Sequence, residues 1–156
     1  LDIVELVVRR LEDDPVFNAG RGSALTADGT VEMDALIVDG ATGAFGAVAG
    51  ITAVANPVAA ARKVMTDTPH AMLAGPNATL FAHAAGLPVV DLAYLKGDPP
   101  DSKYGTVGCA AIDLDGHTAA ATSTGGTKGK MAGRIGDSPL SGCGALAEDG
   151  LGAASA

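Results

Sequence analysis

Apolar residues recur at every third or fourth position over residues 1–11, which places them on one face of a helix. The acidic residues 12–14 and Pro15 follow at once and predict the end of that helix. A glycine-rich segment over 18–23 then predicts a loop. Two apolar runs, 31–38 and 44–51, predict strands that are joined by a short turn.

Residues 56–86 contain the sequence features of two helix starts and one helix end. Asn56 before a proline predicts a helix start, and this helix runs to about Met65. A short strand over 70–74 precedes a second helix, which Asn77 is expected to cap and Gly86 to end.

A charged, proline-rich stretch over 95–103 predicts a linker. Beyond it, 106–113 and 117–124 predict a second hairpin, 134–139 a polar loop, and the residues from Ala145 onward a third hairpin. Strands grouped before and after helices favour an α+β fold with antiparallel pairing. Both ends lie inside patterned segments, so we expect a part of a longer chain that is incomplete at both ends.

Composition and charge exclude disorder and several classes of partner. The chain has 156 residues, 47% of them apolar, which excludes intrinsic disorder. Ten basic residues against 18 acidic ones give a net charge of −8, so we expect neither a nucleic acid nor a membrane surface as partner. No apolar run approaches the roughly 18 residues that span a bilayer. We expect a cytoplasmic protein in which Cys109 and Cys143 are buried thiols.

Several common catalytic patterns do not fit. The segment 125–130 is rich in glycine and lysine but lacks the glycine and hydroxyl residue that a phosphate-binding loop requires at fixed positions. The three histidines share no metal-ligand spacing, and no nucleophile elbow is present. Two threonines beside glycines, Thr106 and Thr124, remain as candidates, although threonine is also common in ordinary strands.

Four motifs carry a more specific signal. Residues 17–22, 104–108, 119–126 and 133–140 resemble, in order and spacing, the plant-type asparaginase and isoaspartyl aminopeptidase family of N-terminal-nucleophile hydrolases. This resemblance implies a four-layer αββα sandwich, made as a precursor that cuts itself between Gly105 and Thr106.

The implied cut divides one domain into two subunit regions. Residues 1–105 correspond to the C-terminal part of the α-subunit region, with the linker at its end, and 106–156 to the N-terminal part of the β-subunit region. Family members carry a longer linker, and a Thr-Gly pair of their oxyanion hole corresponds to a position just beyond Ala156. The resemblance also implies a dimer of αβ heterodimers.

For the reaction, the resemblance implies hydrolysis of L-asparagine and β-aspartyl dipeptides through an acyl-enzyme on Thr106. Cleavage before a threonine exposes an α-amino group, whose reference pKa of about 7.7 to 8.0 suits a general base at neutral pH. Thr124 would support Thr106, Arg134 would bind the substrate carboxylate, and Asp137 would bind its amino group. Without the motif, an exposed salt bridge would be the simpler interpretation of this charged pair.

Catalysis would need no cofactor, but the resemblance implies a structural sodium ion. It would be held by backbone carbonyls, which are hard oxygen ligands. Asn18 would fix this loop or reach the active site. The implied sodium ligands are the carbonyl oxygens of Leu11, Glu12, Asp14, Phe17, Ala19 and Arg21.

Two alternatives stay open. A glycosylasparaginase is disfavoured by Tyr104 in place of the Asp common in that branch, and by a glycine in place of Asn after Thr124. A non-catalytic, unprocessed relative that only binds aspartate-like ligands is disfavoured because Thr106, Thr124, Arg134 and Asp137 are all present.

The loop length of the second hairpin determines whether Thr106 and Thr124 can lie close together. A two-residue turn at Asp115 and Gly116 would put Thr106 and Thr124 on opposite faces of the sheet. A three-residue loop ending at Gly116 would set the two threonines directly opposite each other, about 4.5 to 5.5 Å apart at Cβ. Because the proposed chemistry needs the pair together, we predict the three-residue loop.

Overall fold

Four helices and seven strands follow one another in the computed structural model, which describes residues 1–97 and 104–156. The helices are α1 (Asp2–Asp13), α2 (Pro57–Asp67), α3 (Gly75–Ala84) and α4 (Leu92–Lys96). The strands are β1 (Met33–Asp39), β2 (Phe45–Ile51), β3 (Met72–Ala74), β4 (Val107–Ile112), β5 (Thr118–Thr124), β6 (Ala145–Glu148) and β7 (Gly152–Ser155). In the part of the chain that is described, no helix has both the length and the apolar character needed to cross a membrane.

The main sheet has five strands in the order β3-β2-β1-β5-β4. The β1–β2, β1–β5 and β4–β5 pairs are antiparallel, as predicted. The edge strand β3 pairs with β2 in parallel, through α2, so the expectation of antiparallel pairing is wrong for this strand. The central β1–β5 pair joins a strand from before the expected cut to a strand from after it. Both halves of the chain therefore share one sheet.

Both faces of this sheet are covered. Alternate residues of β1, such as Ala35 and Ile37, pack in one apolar cluster with residues of α1 and α2. Leu36 and Val38 point the other way and pack against the β6–β7 hairpin. Because both faces of β1 are buried, its residues 35–38 form a continuous apolar run rather than an alternating pattern. The α+β class is confirmed, with helices, sheet and hairpin stacked in three layers.

The ends of the middle helices differ in part from expectation. The predicted cap at Asn77 is wrong, because α3 begins at Gly75, with Pro76 in its first turn, and no side chain caps it. Proline is favoured there because its missing N–H would have no helical partner. The predicted stop at Gly86 is confirmed: its φ is +85°, and the Leu87 N–H donates to the Ala82 carbonyl across the helix end.

The linker and cysteine predictions also need correction. Leu95 lies in α4 and is 2% exposed, so the chain is still helical where the linker was expected to begin. Residues 98–103 of that linker lie outside the described residues. Both cysteines are free thiols, but Cys143 is exposed and Cys109 is half-buried, so the expectation of two buried thiols is wrong.

Candidate active site

The β4–β5 hairpin has the predicted three-residue loop. Val107 pairs with Ser123 and Ile112 with Thr118, a register that sets Thr106 opposite Thr124 and Asp113 opposite His117. The Asp113 N–H donates to the His117 carbonyl at 2.9 Å, and Gly116 has a φ of +86°. The register prediction is confirmed, so both threonines lie on one face of the sheet.

The two threonine hydroxyls are hydrogen-bonded. The Thr106 Oγ1–H donates to Thr124 Oγ1 at 3.0 Å. Thr124 is buried, and its Oγ1 also accepts the Gly126 N–H at 3.0 Å. Thr106 and the preceding Gly105 are exposed. A buried, fixed hydroxyl therefore holds an accessible one at the end of the strand pair.

Asn18 joins the chain before Thr106 to the turn after Thr124. Its Nδ2 donates to the Gly126 carbonyl at 2.6 Å, and its Oδ1 accepts the Ala24 N–H at 2.7 Å. Its backbone N–H donates to the carbonyls of Tyr104 and Gly105, at 3.1 and 3.2 Å. Asn18 thus fixes the glycine-rich loop against both segments that carry the threonines.

Arg134 and Asp137 lie on an exposed loop near the same end of the sheet. The Gly133 N–H donates to Glu32 Oε2 at 2.7 Å, and the Gly136 N–H donates to Asp34 Oδ2 at 3.3 Å. Asp34 is fully buried and lies opposite Thr124 in the β1–β5 register, so it shares that face.

No ion pair joins Arg134 to Asp137 in the described part of the chain. The exposed salt bridge that we considered as the simpler interpretation is therefore not formed. Both side chains stay exposed on a loop whose backbone is fixed, which leaves their charges available to a ligand.

Glu12 has a role that the sequence did not suggest. Its carboxyl oxygen Oε1 accepts the Val58 N–H at 2.9 Å and so caps α2, while Asn56, predicted as the cap, instead donates to Asp13 Oδ1 at 3.0 Å. Burial raises the pKa of the Glu12 carboxyl to about 8, against the opposing effects of the Ser123 hydroxyl and the Val58 amide. Ser123 points to the helix face of the sheet, away from Thr106, so we assign Glu12 to structure rather than chemistry.

The implied sodium loop follows the C-terminus of α1, where the helix dipole favours a cation. A Cβ added to Gly20 would lie 2.6 Å from the Glu12 carbonyl oxygen, and one added to Gly22 would lie 2.6 Å from that of Phe17. The backbone therefore packs so closely at both positions that a side chain would not fit.

The resemblance implies main-chain oxygens as the sodium ligands in this loop. The carbonyls of Leu11, Glu12 and Asp14 each accept one backbone N–H, which leaves each a second lone pair. Among the residues described, no cluster of three or more acidic, histidine or cysteine side chains could hold a metal. Carbonyl oxygens are hard ligands, so the ligand type of the implied sodium site is present in this loop.

Known proteins match this chain along both of its halves. A protein-family model described as "Asparaginase" matches residues 1–99 and 94–156, and the two matched ranges meet in the expected linker. A "Probable isoaspartyl peptidase/L-asparaginase 2" of Arabidopsis thaliana is 44% identical over 96% of this chain and 59% of its own length.

Two further relatives come from distant organisms. An "Isoaspartyl peptidase" of Escherichia coli is 46% identical over 96% of this chain and 54% of its own length. An "Isoaspartyl peptidase/L-asparaginase" of Homo sapiens is 44% identical over 99% of this chain and 56% of its own length. The chain spans about half the length of the curated relatives it matches. From the family match along both halves and the identity to these relatives, the chain belongs to the asparaginase family of N-terminal-nucleophile hydrolases.

Proposed function

We propose that the complete protein hydrolyses L-asparagine and β-aspartyl dipeptides through an acyl-enzyme on Thr106. The observation that carries this proposal is the 3.0 Å hydrogen bond between an exposed Thr106 hydroxyl and a buried Thr124 hydroxyl, beside a fixed loop with two opposite charges. The names of the three relatives, isoaspartyl peptidase or isoaspartyl peptidase/L-asparaginase, support the same substrates.

Self-cleavage prepares the nucleophile. In the continuous chain, the Thr106 nitrogen belongs to a peptide bond and is not basic. The Thr106 hydroxyl attacks the Gly105 carbonyl, the acyl group moves from nitrogen to oxygen, and water then hydrolyses the ester. The products are a Gly105 carboxylate and a Thr106 α-amino group that can act as a general base.

Substrate hydrolysis then takes two steps. The amine accepts the Thr106 hydroxyl proton as the oxygen attacks the β-carbonyl, and the resulting ammonium gives this proton to the amide nitrogen. The C–N bond then breaks, and ammonia or the second amino acid of the dipeptide leaves. Water next attacks the β-aspartyl ester and releases aspartate. Thr124, held by the Gly126 N–H, keeps Thr106 Oγ1 in position for both steps.

Arg134 and Asp137 supply substrate recognition in this proposal. The planar guanidinium of Arg134 can bind the α-carboxylate through two parallel hydrogen bonds, and Asp137 carries the charge opposite to an α-amino group. Asn18 supports the site by fixing the turn at Gly126.

The sodium ion, the complete fold and the assembly form part of the same proposal. The carbonyls of the loop after α1 would hold sodium and keep this loop in place. The helix, sheet and hairpin layers would form three layers of a four-layer αββα sandwich. We also propose a dimer of αβ heterodimers, on resemblance alone, and a cytoplasmic location stays a prediction.

Intact mass and turnover of the complete polypeptide test the proposal together. We expect cleavage between Gly105 and Thr106, ammonia release from asparagine, and aspartate release from β-aspartyl dipeptides. A Thr106→Ala variant, which lacks only the hydroxyl and a methyl group, should remain uncleaved and inactive. Turnover of glycosylated asparagine alone would favour glycosylasparaginase activity, and an intact, inactive wild type would favour a non-catalytic relative.

A further inference from the structure

Thr122 is a buried hydroxyl residue that the proposed reaction does not use. It lies two residues before Thr124 on β5, so both side chains point to the same face of the sheet. Thr122 is fully buried, and its Oγ1 donates to the Gly144 carbonyl at 2.7 Å. This hydrogen bond joins the strand that carries Thr124 to the loop that ends at β6.

A second hydroxyl holds that of Thr122 in place. Ser155 Oγ lies 2.7 Å from Thr122 Oγ1 and 3.0 Å from the Ala121 carbonyl oxygen, so its single proton can be donated to either oxygen. Gly108 lies opposite Thr122 in the β4–β5 register, and a Cβ added to Gly108 would overlap Ser155 Oγ. Glycine at this position therefore makes room for the serine hydroxyl in the row of side chains next to Thr106.

The other side of Gly144 contacts the loop that carries Arg134 and Asp137. A Cβ added to Gly144 would lie 2.5 Å from Ser138 Cα, so the two backbones pack directly against each other. Ser138 is 2% exposed, whereas Asp137 before it is exposed. The Leu140 N–H donates to the Asp137 carbonyl, and the Gly144 N–H donates to the Leu140 carbonyl, each at 2.9 Å. A movement of Gly144 is therefore passed to Asp137.

We propose that Thr122 is a positioning residue that fixes Asp137 at a set distance from the nucleophile, Thr106, through the backbone between them. The path runs from the Thr122 hydroxyl to the Gly144 carbonyl, and from Gly144 to the turn that begins at Asp137. The role in substrate binding rests on the proposed function. The effect on the backbone does not, because the amides of this turn report it directly.

The test uses Thr122→Val in the complete polypeptide, which puts a methyl group in the place of the hydroxyl. A carbon atom approaches a carbonyl oxygen only to about 3.3 Å, against the 2.7 Å of the hydrogen bond, so Gly144 must move away. We expect KM for a β-aspartyl dipeptide to rise about tenfold and kcat to change less than about threefold. Self-cleavage should remain complete, because Asp137 takes no part in the cut.

Thr118→Val is the matched control. Thr118 is buried at the other end of the same strand, on the same face, and its hydroxyl donates to Asp149 Oδ1 at 2.9 Å. This variant loses a comparable hydrogen bond but should leave KM unchanged, whereas Thr122→Ser keeps the hydroxyl and should stay within about threefold of wild type. An unchanged KM in Thr122→Val, an equal rise in Thr118→Val, or no recovery in Thr122→Ser would overturn the proposal.

A double-mutant cycle with Asp137 separates positioning from a general loosening of the site. In the wild-type background, Thr122→Val should lower kcat/KM about tenfold. In an Asp137→Asn background it should lower kcat/KM less than about threefold, because the charge that Thr122 positions is already removed. Equal losses in the two backgrounds would refute the link between Thr122 and Asp137.

Amide hydrogen exchange keeps the inference separate from the proposed function. At Leu140 and Gly144, exchange should be about tenfold faster in Thr122→Val than in wild type, and it should be unchanged in Thr118→Val. If wild type hydrolyses neither substrate, the proposed function is wrong and exchange still decides whether Thr122 holds the turn. Unchanged exchange at both amides refutes that role, and the same criteria apply to Thr122→Ala should Thr122→Val not fold.

Discussion

Replacing Thr124 with valine removes one hydroxyl and preserves the shape of a buried side chain. Thr124 Oγ1 accepts two hydrogen bonds, from the Gly126 N–H and from the Thr106 hydroxyl, each at 3.0 Å. The exposed Thr106 hydroxyl can turn to water, but the Gly126 N–H loses its partner in a half-buried turn. We expect a loss of about 1–3 kcal/mol in the free energy of unfolding, measured by urea denaturation.

The same variant separates folding from catalysis. Thr106 loses the group that orients its oxygen, and a hydrogen bond of about 1.4 to 2.8 kcal/mol in the transition state corresponds to a 10- to 100-fold lower kcat. KM should change little, since Arg134 and Asp137 are untouched. Thr124→Ser keeps the hydroxyl and should retain most activity. A Thr124→Val enzyme with wild-type kcat would remove Thr124 from the proposed mechanism.

Three further predictions concern other parts of the chain. Arg134→Lys keeps the charge but loses the two-pronged fork, so KM for β-aspartyl dipeptides should rise while self-cleavage continues; an unchanged KM would refute the assigned role. Sodium should raise the Tm more than tetramethylammonium at equal ionic strength, and equal Tm values would refute the cation site after α1. The hydrogen bond that His117 Nδ1 donates to the Asp149 carboxylate raises the pKa of His117 and lowers that of Asp149. The His117–Asp149 pair therefore stabilises the folded state fully between pH 3.8, the ordinary pKa of an Asp, and pH 6.5, that of a His. This stabilisation is lost as the pH rises through the raised pKa of His117 or falls through the lowered pKa of Asp149. His117→Gln should accordingly lower the Tm most between those pH values, and a Tm difference independent of pH would contradict this.

The strands, the hairpin loop and the threonine pair were predictable from the sequence, because each depends on the local pattern of apolar residues or on the register of one hairpin. The three-residue loop follows from a chemical requirement, that Thr106 and Thr124 share a face, rather than from turn statistics. The helix stop at Gly86 was also visible, since a positive φ at a helix end favours glycine.

Contacts between distant segments could not be predicted in this way. Glu12 caps a helix 46 residues further along the chain, so the Asn56 side chain is not needed as its cap. Lys130 lies in a glycine-rich segment that was set aside because it fails as a phosphate loop, although its Nζ bonds a carbonyl 98 residues away. The signal for Asp34 was present, as an acidic residue inside an apolar strand, but only the sheet register shows that it lies opposite Thr124.

During turnover, Thr106 should carry the β-aspartyl group as an ester on its Oγ1. Acid quenching of the complete enzyme with a β-aspartyl dipeptide, followed by proteolysis and mass spectrometry, detects this ester. We expect the peptide beginning with Thr106 to gain the mass of one β-aspartyl group in the wild type, and the corresponding peptide of the Thr106→Ala variant not to gain it. A wild-type enzyme that turns over substrate while this peptide stays unmodified, or with the added mass on another residue, would show that Thr106 is not the nucleophile.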